Sequence, residues 1–290
     1  MKVAGFSIAR NVLKYDYPIL EAIQSVLPLV DKFYIAVGKS EDETLAYIKS
    51  VQTDKIVLIE TIWDEKLRVG GLVLSNETNK AFDSIPQEFD WAIYIQGDEV
   101  IHEKYYPEIL EQMNKWRTDK DVQGLLLKYQ HFYGSYEYVG DSRKWYRNEI
   151  RIIKNDKQIR SYKDAQGFRT ISDQKLRVKK INAEIFHYGW VKPPKAQQEK
   201  QKSFNKLWHD DQWVEKNIGN SDEFDYSKID SLSKFKGTHP KIMSERISRM
   251  NWNFSFNPDK INTSIKSRTL QSIENLTGWR PGEYKNYKII

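Results

Sequence analysis

The sequence of 290 residues contains no cysteine. Disulfides, thiolate zinc sites and cysteine nucleophiles are therefore excluded, and the composition is compatible with a reducing cytoplasm, where we expect the protein. The sequence also has no apolar run near the roughly 20 residues that a membrane-spanning helix needs. The apolar stretch at its start is too short for the core of a signal peptide, so we expect none.

Several nucleotide-binding and hydrolase motifs are missing as well. The sequence has no GxGxxG loop, no GxxxxGK[ST] loop, no HExxH and no GxSxG. These absences disfavour a Rossmann oxidoreductase, a P-loop ATPase, a zinc protease and a serine hydrolase. The net charge of +6 is compatible with an anionic small molecule, an acidic membrane surface or nucleic acid. Because no nucleic-acid recognition motif is present, we expect no nucleic-acid partner.

Strand-like and helix-like segments alternate through the first half of the chain. The apolar patterns predict strands over residues 2–9, 32–38, 55–62 and 91–96. Helical spacing follows the first three of them, over residues 17–30, 42–51 and 71–85. This order predicts the α/β class, with a mostly parallel central sheet covered by helices on both faces.

Beyond about residue 122 the pattern changes. Residues 123–134 and 148–162 are typical of strands, and helices are predicted over residues 195–217, 240–250 and 264–278. We find no internal repeat and no Gly/Ser-rich linker. We therefore predict one α/β domain over residues 1–190, with a helical C-terminal extension over residues 191–290 packed on it.

Polar clusters follow each of the four predicted strands. Arg10-Asn11 follows the first, residues 38–44 the second, Asp64 the third and residues 96–99 the fourth. In an open α/β sheet, ligands bind beyond the carboxyl ends of parallel strands. The four clusters therefore predict one binding site at that edge of the sheet.

The fourth strand ends at two adjacent carboxylates, Asp98 and Glu99. In an extended segment their side chains point to opposite faces, so one can hold a metal while the other supports the fold or the substrate. A lone carboxylate that shares an ion with phosphate oxygens suits Mg²⁺ or Mn²⁺. His187, at the end of another apolar strand, is a second candidate ligand. The alternative interpretations are a solvated turn for the carboxylates and a structural histidine for His187.

The order and spacing of four short segments resemble those of bacterial family 2 glycosyltransferases of the GT-A fold. The segments are FSIARN (6–11), SEDET (40–44), SNETNKAFDSI (75–85) and QGDE (96–99). The resemblance covers about residues 2–190 and implies a GT-A-like, Rossmann-type sandwich. It also implies an inverting transfer, dependent on Mn²⁺ or Mg²⁺, of a sugar from a nucleotide-diphosphate donor to a hydroxyl of a glycan or lipid-linked acceptor, as in polysaccharide biosynthesis.

The resemblance also implies roles for individual residues. Asp98 would be the direct metal ligand, and His187, chosen from its position at a strand end, would form a two-ligand site with it. The general base would lie in the loop of residues 160–170, where Asp164 is the carboxylate we choose, with Glu149 and Asp173 in reserve. The residues expected to bind the donor are Ala9, Arg10, Asn11, Gly38, Ser40, Asp42, Asn79, Gln96 and Gly97.

Two departures from the family pattern keep a second function open. Val37 and Gly38 stand where family members usually carry the Asp that reads the base, and Gln96 replaces the first Asp of the D-x-D segment. The alternative is a non-catalytic protein that binds a nucleotide sugar or a glycan. A sugar-1-phosphate nucleotidyltransferase is disfavoured because the segment SIARNVLKYDYP lacks glycine.

Two further segments are candidates for contacts with partners. The aromatic segment 129–149 is the expected acceptor surface, because sugars stack on Tyr and Trp; a twisted hairpin with aromatic cross-strand pairs is the alternative. The basic helix at residues 195–206 is expected to be a solvated face. Peripheral contact of this helix with an anionic inner-membrane surface is the other hypothesis.

Overall fold

The structure is a computed structural model, and it describes residues 1–64, 66–218, 221–257 and 264–290. The strands within these ranges are β1 (Val3–Ala9), β2 (Lys32–Gly38), β3 (Ile56–Thr61), β4 (Trp91–Tyr94), β5 (Glu99–Ile101), β6 (Gly124–Tyr133), β7 (Tyr138–Gly140), β8 (Asn148–Lys154), β9 (Ile159–Tyr162), β10 (Gly167–Thr170), β11 (Leu176–Trp190), β12 (Leu232–Lys234) and β13 (Tyr287–Ile289). The helices are α1 (Ile19–Val26), α2 (Thr44–Lys49), α3 (Leu72–Asp83), α4 (Tyr106–Lys115), α5 (Pro194–Asn205), α6 (Asp211–Ile218), α7 (Ser244–Ser248) and α8 (Ile265–Thr277).

One mixed sheet organises the molecule, in the order β12-β7-β6-β8-β4-β1-β2-β3. Strands β3, β2, β1 and β4 pair in parallel, so their carboxyl ends meet at one edge. Strand β8 then runs antiparallel between β4 and β6, and β11 pairs in parallel with β6. The carboxyl ends of β3, β2, β1 and β4, where the sequence predicts the binding site, therefore lie side by side.

Helices cover both faces of this sheet. Along β2, Phe33, Ile35 and Val37 pack into one core cluster with residues of α1, α2 and α4. The alternate residues Tyr34 and Ala36 pack into a second cluster with α3. A strand buried on both faces reads as a continuous apolar run, which is why these strands stood out in the sequence. The predicted α/β class with a mostly parallel central sheet is confirmed.

The second half differs in detail from the prediction. The single helix expected over residues 195–217 is two helices, α5 and α6. The segment after residue 190 is not only helical, because β12 pairs with β7 and β13 pairs with β11. Sequence patterns missed these three-residue strands because they are too short to show a period. The division at residue 190 stays a proposal.

Among the described residues, no helix combines the length and the apolarity needed to cross a bilayer.

Candidate functional site

Two adjoining cavities, of about 470 and 490 Å³, lie at the carboxyl edge of the parallel strands. Both are lined by Arg10 and Trp63 from the strand ends and by Lys200 and Phe204 from α5. We call the combined space the cleft. Helix α5, expected from the sequence to be a solvated face, forms one wall of it. The cleft therefore lies where the polar strand ends predicted a site.

Glu99 lies beneath the cleft and is fully buried. Its carboxylate accepts hydrogen bonds from Arg151 Nε at 2.9 Å, Arg151 Nη2 at 2.8 Å and the Tyr129 hydroxyl at 2.6 Å. It also accepts one from the backbone N–H of Gln96 at 3.1 Å. The bidentate Glu99–Arg151 pair fixes the turn after β4. Glu99 therefore supports the fold, as one of the two carboxylates was expected to do.

Asp98 points the other way, into the cleft, and keeps 8% of its surface exposed. Its Oδ2 accepts a hydrogen bond from Lys200 Nζ at 3.1 Å, and its Oδ1 lies 3.8 Å from His187 Nε2. Burial alone would raise the pKa of Asp98, but the charges of Lys200, His187 and Lys192 and the hydrogen bond from Lys200 together outweigh burial and hold the pKa below its usual value. Asp98 is therefore a carboxylate at neutral pH.

His187 reaches Asp98 because β5 and β11 pair antiparallel, with His187 opposite Glu99. His131 Nε2 lies 2.8 Å from the carbonyl oxygen of Tyr146 and must donate to it, which leaves His131 Nδ1 as an acceptor in the neutral ring. His187 Nδ1, 3.1 Å away, then donates to His131 Nδ1. Burial lowers the pKa of both rings, that of His131 to about 3. The lone pair of His187 therefore sits on Nε2, facing Asp98.

Gly189 allows the His187 ring and the Asp98 carboxylate to lie this close together. A Cβ atom at this position would lie 2.6 Å from His187 Nε2 and 2.7 Å from Asp98 Oδ2. Contacts that short do not occur, so any larger residue would push the two side chains apart. The carbonyl oxygen of Gly189 also accepts a hydrogen bond from Lys200 Nζ at 3.0 Å. The glycine is thus part of the geometry of the site.

The donor atoms fit a divalent cation in part. Asp98 Oδ1 and His187 Nε2 both present electron pairs, 3.8 Å apart, at the cleft. Within the described residues, no group of three or more His, Cys, Asp or Glu side chains could hold an ion. An ion between Asp98 and His187 would therefore take its remaining ligands from a bound phosphate and from water, as Mg²⁺ and Mn²⁺ commonly do.

Asp164 lines the same cavity as Asp98. Its loop is fastened to the sheet by two hydrogen bonds, from Gln96 Nε2 after β4 to the carbonyl oxygen of Ala165 at 3.1 Å and from Arg151 Nη1 on β8 to that of Gln166 at 3.0 Å. Lys163 and Ala165, on either side of Asp164, have positive φ angles of 52° and 61°. Burial raises the pKa of Asp164, which favours its acting as a proton acceptor.

The two reserve carboxylates lie elsewhere. Glu149 is buried on β8, does not line the cleft, and its Oε2 has no hydrogen-bond partner in the described part of the chain. Burial raises the pKa of Glu149 to about 8. Asp173 is exposed at a turn, with Oδ1 3.7 Å from Arg169 Nη1. Of the three carboxylates considered from the sequence, Asp164 has direct access to the cleft.

The predicted nucleotide loop forms a clamp between the ends of β1 and β2. Asn11, at φ 54°, accepts the N–H of Glu41 at 2.7 Å through Oδ1, and its own N–H donates to Ser40 Oγ at 3.0 Å. Asp42 Oδ2 accepts the N–H groups of Leu13 at 3.0 Å and Lys14 at 2.8 Å. These side chains therefore shape the rim of the cleft, which Asn11 also lines.

Trp63, which the sequence interpretation did not single out, stacks on the end of β2. A Cβ atom on Gly38 would lie 2.4 Å from Trp63 Nε1, so the glycine makes room for the indole. The Arg10 guanidinium lies 5.4 Å from the centre of the Trp63 ring. A planar aromatic ring and a cation thus occupy the region where the base-reading Asp was expected. The signal in the sequence was an aromatic residue beside a polar strand end, Trp63-Asp64.

The remaining predicted donor-binding residues divide into two groups. Ala9, Gln96 and Gly97 line the cleft. Asn79 does not: its Oδ1 accepts the N–H of Ser161 at 2.9 Å, and it lines a separate cavity of about 310 Å³. Asn79 is seven residues into α3, roughly 10 Å along the axis from the helix start. Its placement among donor-binding residues is not supported by the structure.

The aromatic segment 129–149 is mainly core. Phe132, Tyr133, Tyr136 and Tyr138 are buried, and Phe132 pairs with Val139 across the antiparallel β6–β7 ladder. Tyr146 differs, with 42% of its surface exposed and its ring at the cleft. Most of this segment therefore packs inside the protein, and Tyr146 is the part of it that lines the cleft.

The chain matches no protein-family model and no curated protein sequence. Among solved structures, it is similar to S. aureus TarS, at 14% identity and a TM-score of 0.41, over 70% of this chain and 39% of that one. A crystal structure of TarS 1–349 with UDP gives 14% identity, a TM-score of 0.38, and coverage of 75% and 70%. Glucosyl-3-phosphoglycerate synthase from Mycobacterium tuberculosis, crystallised with Mn²⁺, UDP and phosphoglyceric acid, gives 15%, 0.30, and coverage of 45% and 43%. This chain thus covers less than half of the TarS chain in the first of these structures.

Proposed function

We propose that the protein is a glycosyltransferase that moves a sugar from a nucleoside-diphosphate donor to a hydroxyl group of a glycan or lipid-linked acceptor. One observation carries the proposal. Asp98 and His187 face the cleft at the carboxyl edge of the parallel strands, and the half-buried carboxylate of Asp164 lines the same cavity. A candidate pair of metal ligands and a proton acceptor thus share one cavity large enough for a small molecule.

The cleft suggests how the donor lies. The diphosphate would sit near Asp98 and His187, and the base would lie towards Trp63 and Arg10, whose flat side chains suit stacking on a nucleobase. The sugar would then extend towards Asp164 and Tyr146. Because no carboxylate reads the base at Val37 or Gly38, the donor base is not restricted to uracil in this proposal.

Asp98 Oδ1 and His187 Nε2 would hold Mn²⁺ or Mg²⁺ together with the donor. When bound, such an ion supplies positive charge to the departing diphosphate. The chain's own residues do the rest: the Glu99–Arg151 pair fixes the turn that presents Asp98, and the His131–His187 hydrogen bond keeps the lone pair of His187 on Nε2.

Asp164 would act as the general base. In an inverting transfer the acceptor oxygen attacks the sugar carbon directly, and a carboxylate must remove the proton of the attacking hydroxyl. Asp164 lies in the cavity that Asp98 lines, on a loop tied to Gln96. The acceptor hydroxyl would therefore approach between Asp164 and the donor sugar.

The test is a panel of nucleotide sugars incubated with Mn²⁺, with and without glycan and lipid-linked acceptors. We expect nucleoside diphosphate to be released from one donor, faster with the right acceptor, and the release to be lost in Asp98→Asn. Binding of a nucleotide sugar or glycan without any release would instead establish the non-catalytic alternative. No binding and no release from any donor would overturn both.

A further inference from the structure

Lys200 is a charged, buried group of the cleft to which the proposed function assigns no role. It is a lysine on α5 whose side chain is almost entirely buried, and its Nζ donates to Asp98 Oδ2 at 3.1 Å and to the carbonyl oxygen of Gly189 at 3.0 Å. It also lies 4.9 Å from the centre of the Tyr17 ring. A buried ammonium needs such partners, because burial removes its hydration. Lys200 lines both cavities of the cleft.

The position of Lys200 is set by the rest of the molecule. Beyond it on α5, Phe204 packs against the core cluster on the α3 side of the sheet, as do Leu207 and Trp208 in the following turn. The N–H of Gly71, which precedes α3, donates to the carbonyl oxygen of Leu207 at 3.3 Å. The helix is therefore held over the strand ends, and the Lys200 ammonium is directed at the carboxylate that faces the cleft.

Lys200 and a divalent cation require the same carboxylate. Both would sit within a few ångströms of Asp98, and two positive groups that close together repel one another strongly in a partly buried site. A bound diphosphate changes this balance, because its oxygens accept hydrogen bonds from an ammonium and also ligate an ion.

We propose that Lys200 is a second cation of the donor site, shared between Asp98 and the donor diphosphate. Without donor, the ammonium occupies Asp98 and opposes binding of a divalent cation. With donor, the ammonium moves onto the diphosphate oxygens and releases Asp98 for the ion. This inference rests on the proposed function, and it makes the ion and the donor bind together rather than separately.

A single substitution is expected to have two opposite effects. Lys200→Met removes the charge and keeps an unbranched side chain of similar length. For Mn²⁺ alone, measured by electron paramagnetic resonance without nucleotide, we expect the variant to bind about 10-fold more tightly than the unmodified protein. For inorganic diphosphate in EDTA, measured by calorimetry, we expect it to bind about 10-fold more weakly.

The control is Lys195→Met, which removes the same charge from an exposed position on the same helix. We expect it to change neither affinity. Lys200→Arg keeps the charge and should keep Mn²⁺ binding weak. If Lys200→Met does not fold, as judged by circular dichroism, Lys200→Gln gives the same test while retaining a polar group near the carbonyl oxygen of Gly189.

The outcomes are distinct. Weakening of both affinities in the folded variant would show that Lys200 only supports the structure, and it would overturn the inference. Unchanged affinities would also overturn it, whatever the transfer assay shows. If the two affinities shift in opposite directions but no nucleotide sugar is turned over, the role of Lys200 stands and the proposed glycosyl transfer falls.

Discussion

Two neighbouring carboxylates of one turn occupy opposite environments. Glu99, below the turn, is fully buried and accepts hydrogen bonds from Nε and Nη2 of Arg151 and from the Tyr129 hydroxyl. Asp98, above it, faces the cleft and contacts one ammonium and one imidazole across longer distances. A saturated, buried pair can stabilise one arrangement only, whereas a partly open pair can exchange partners. The difference separates the part of the site that is scaffold from the part that can bind.

The comparison is tested most strongly by removing the cation from each carboxylate. Arg151→Met leaves Glu99 charged, buried and uncompensated, and we expect the free energy of unfolding to fall by about 3–5 kcal/mol. Lys200→Met leaves Asp98 at the edge of the cleft, where water can reach it, so we expect a clearly smaller loss. Urea unfolding measures both. Equal losses would contradict the distinction between scaffold and binding group.

Asp98→Asn is expected to act on turnover rather than on folding. It removes the charge that faces the cleft, and under the proposed function we expect kcat to fall by about 10²–10³-fold, the scale seen when a group that stabilises the transition state is lost. The measurement is the release of nucleoside diphosphate from the donor that the panel identifies. A variant that keeps its turnover would show that Asp98 does not contact the reacting groups.

The assignment of the general base is tested by comparing a carboxylate that lines the cleft with one that is buried behind it. Asp164→Asn should lower kcat by about 10²-fold, because proton removal is lost, while the affinity for the donor is kept. Glu149→Gln, on the buried strand β8, should have a much smaller effect on kcat. Steady-state kinetics of the two variants decide the matter. If Glu149→Gln lowered kcat more than Asp164→Asn, Glu149 would be the general base.

Glu149 also predicts a pH dependence of stability. Its pKa is raised to about 8 in the folded protein, by burial above all and by Glu99, against the attraction of Arg151. The folded state therefore holds a proton that the unfolded chain has lost above its ordinary pKa, so this contribution to stability is complete at low pH and is lost as the pH rises towards about 8.

The matched measurement is urea unfolding at pH 5 and pH 8. The free energy of unfolding of the unmodified protein should fall between these two pH values. Glu149→Gln has no proton to release at this position, so its free energy of unfolding should fall less, and the difference between the two proteins is the contribution of Glu149. An identical slope in both proteins would show that Glu149 is not the group responsible. The measurement probes the scaffold beneath the turn without touching the cleft.

The parts of the site that directly follow an apolar strand could be predicted from the sequence, and the parts contributed by loops and by α5 could not. The strand ends at Arg10, Asn11 and residues 96–99 were found in the sequence because each follows a continuous apolar run. The opposite orientations of Asp98 and Glu99 followed from the pleat of an extended chain. Trp63, Tyr17 and Lys200 were not found, because a lysine in a polar helix and aromatic residues in loops look the same in sequence whether they are solvated or line a cleft.

By itself, the sequence determined the α/β class, the parallel direction of the first strands and the edge at which they deliver polar side chains, because these depend on local periodicity and on connections between neighbouring segments. Tertiary structure decided which groups meet there. His187 reaches Asp98 through the β5–β11 pairing, and Lys200 reaches it from a helix about a hundred residues further along the chain. Contacts between such distant segments depend on packing, which no local pattern encodes.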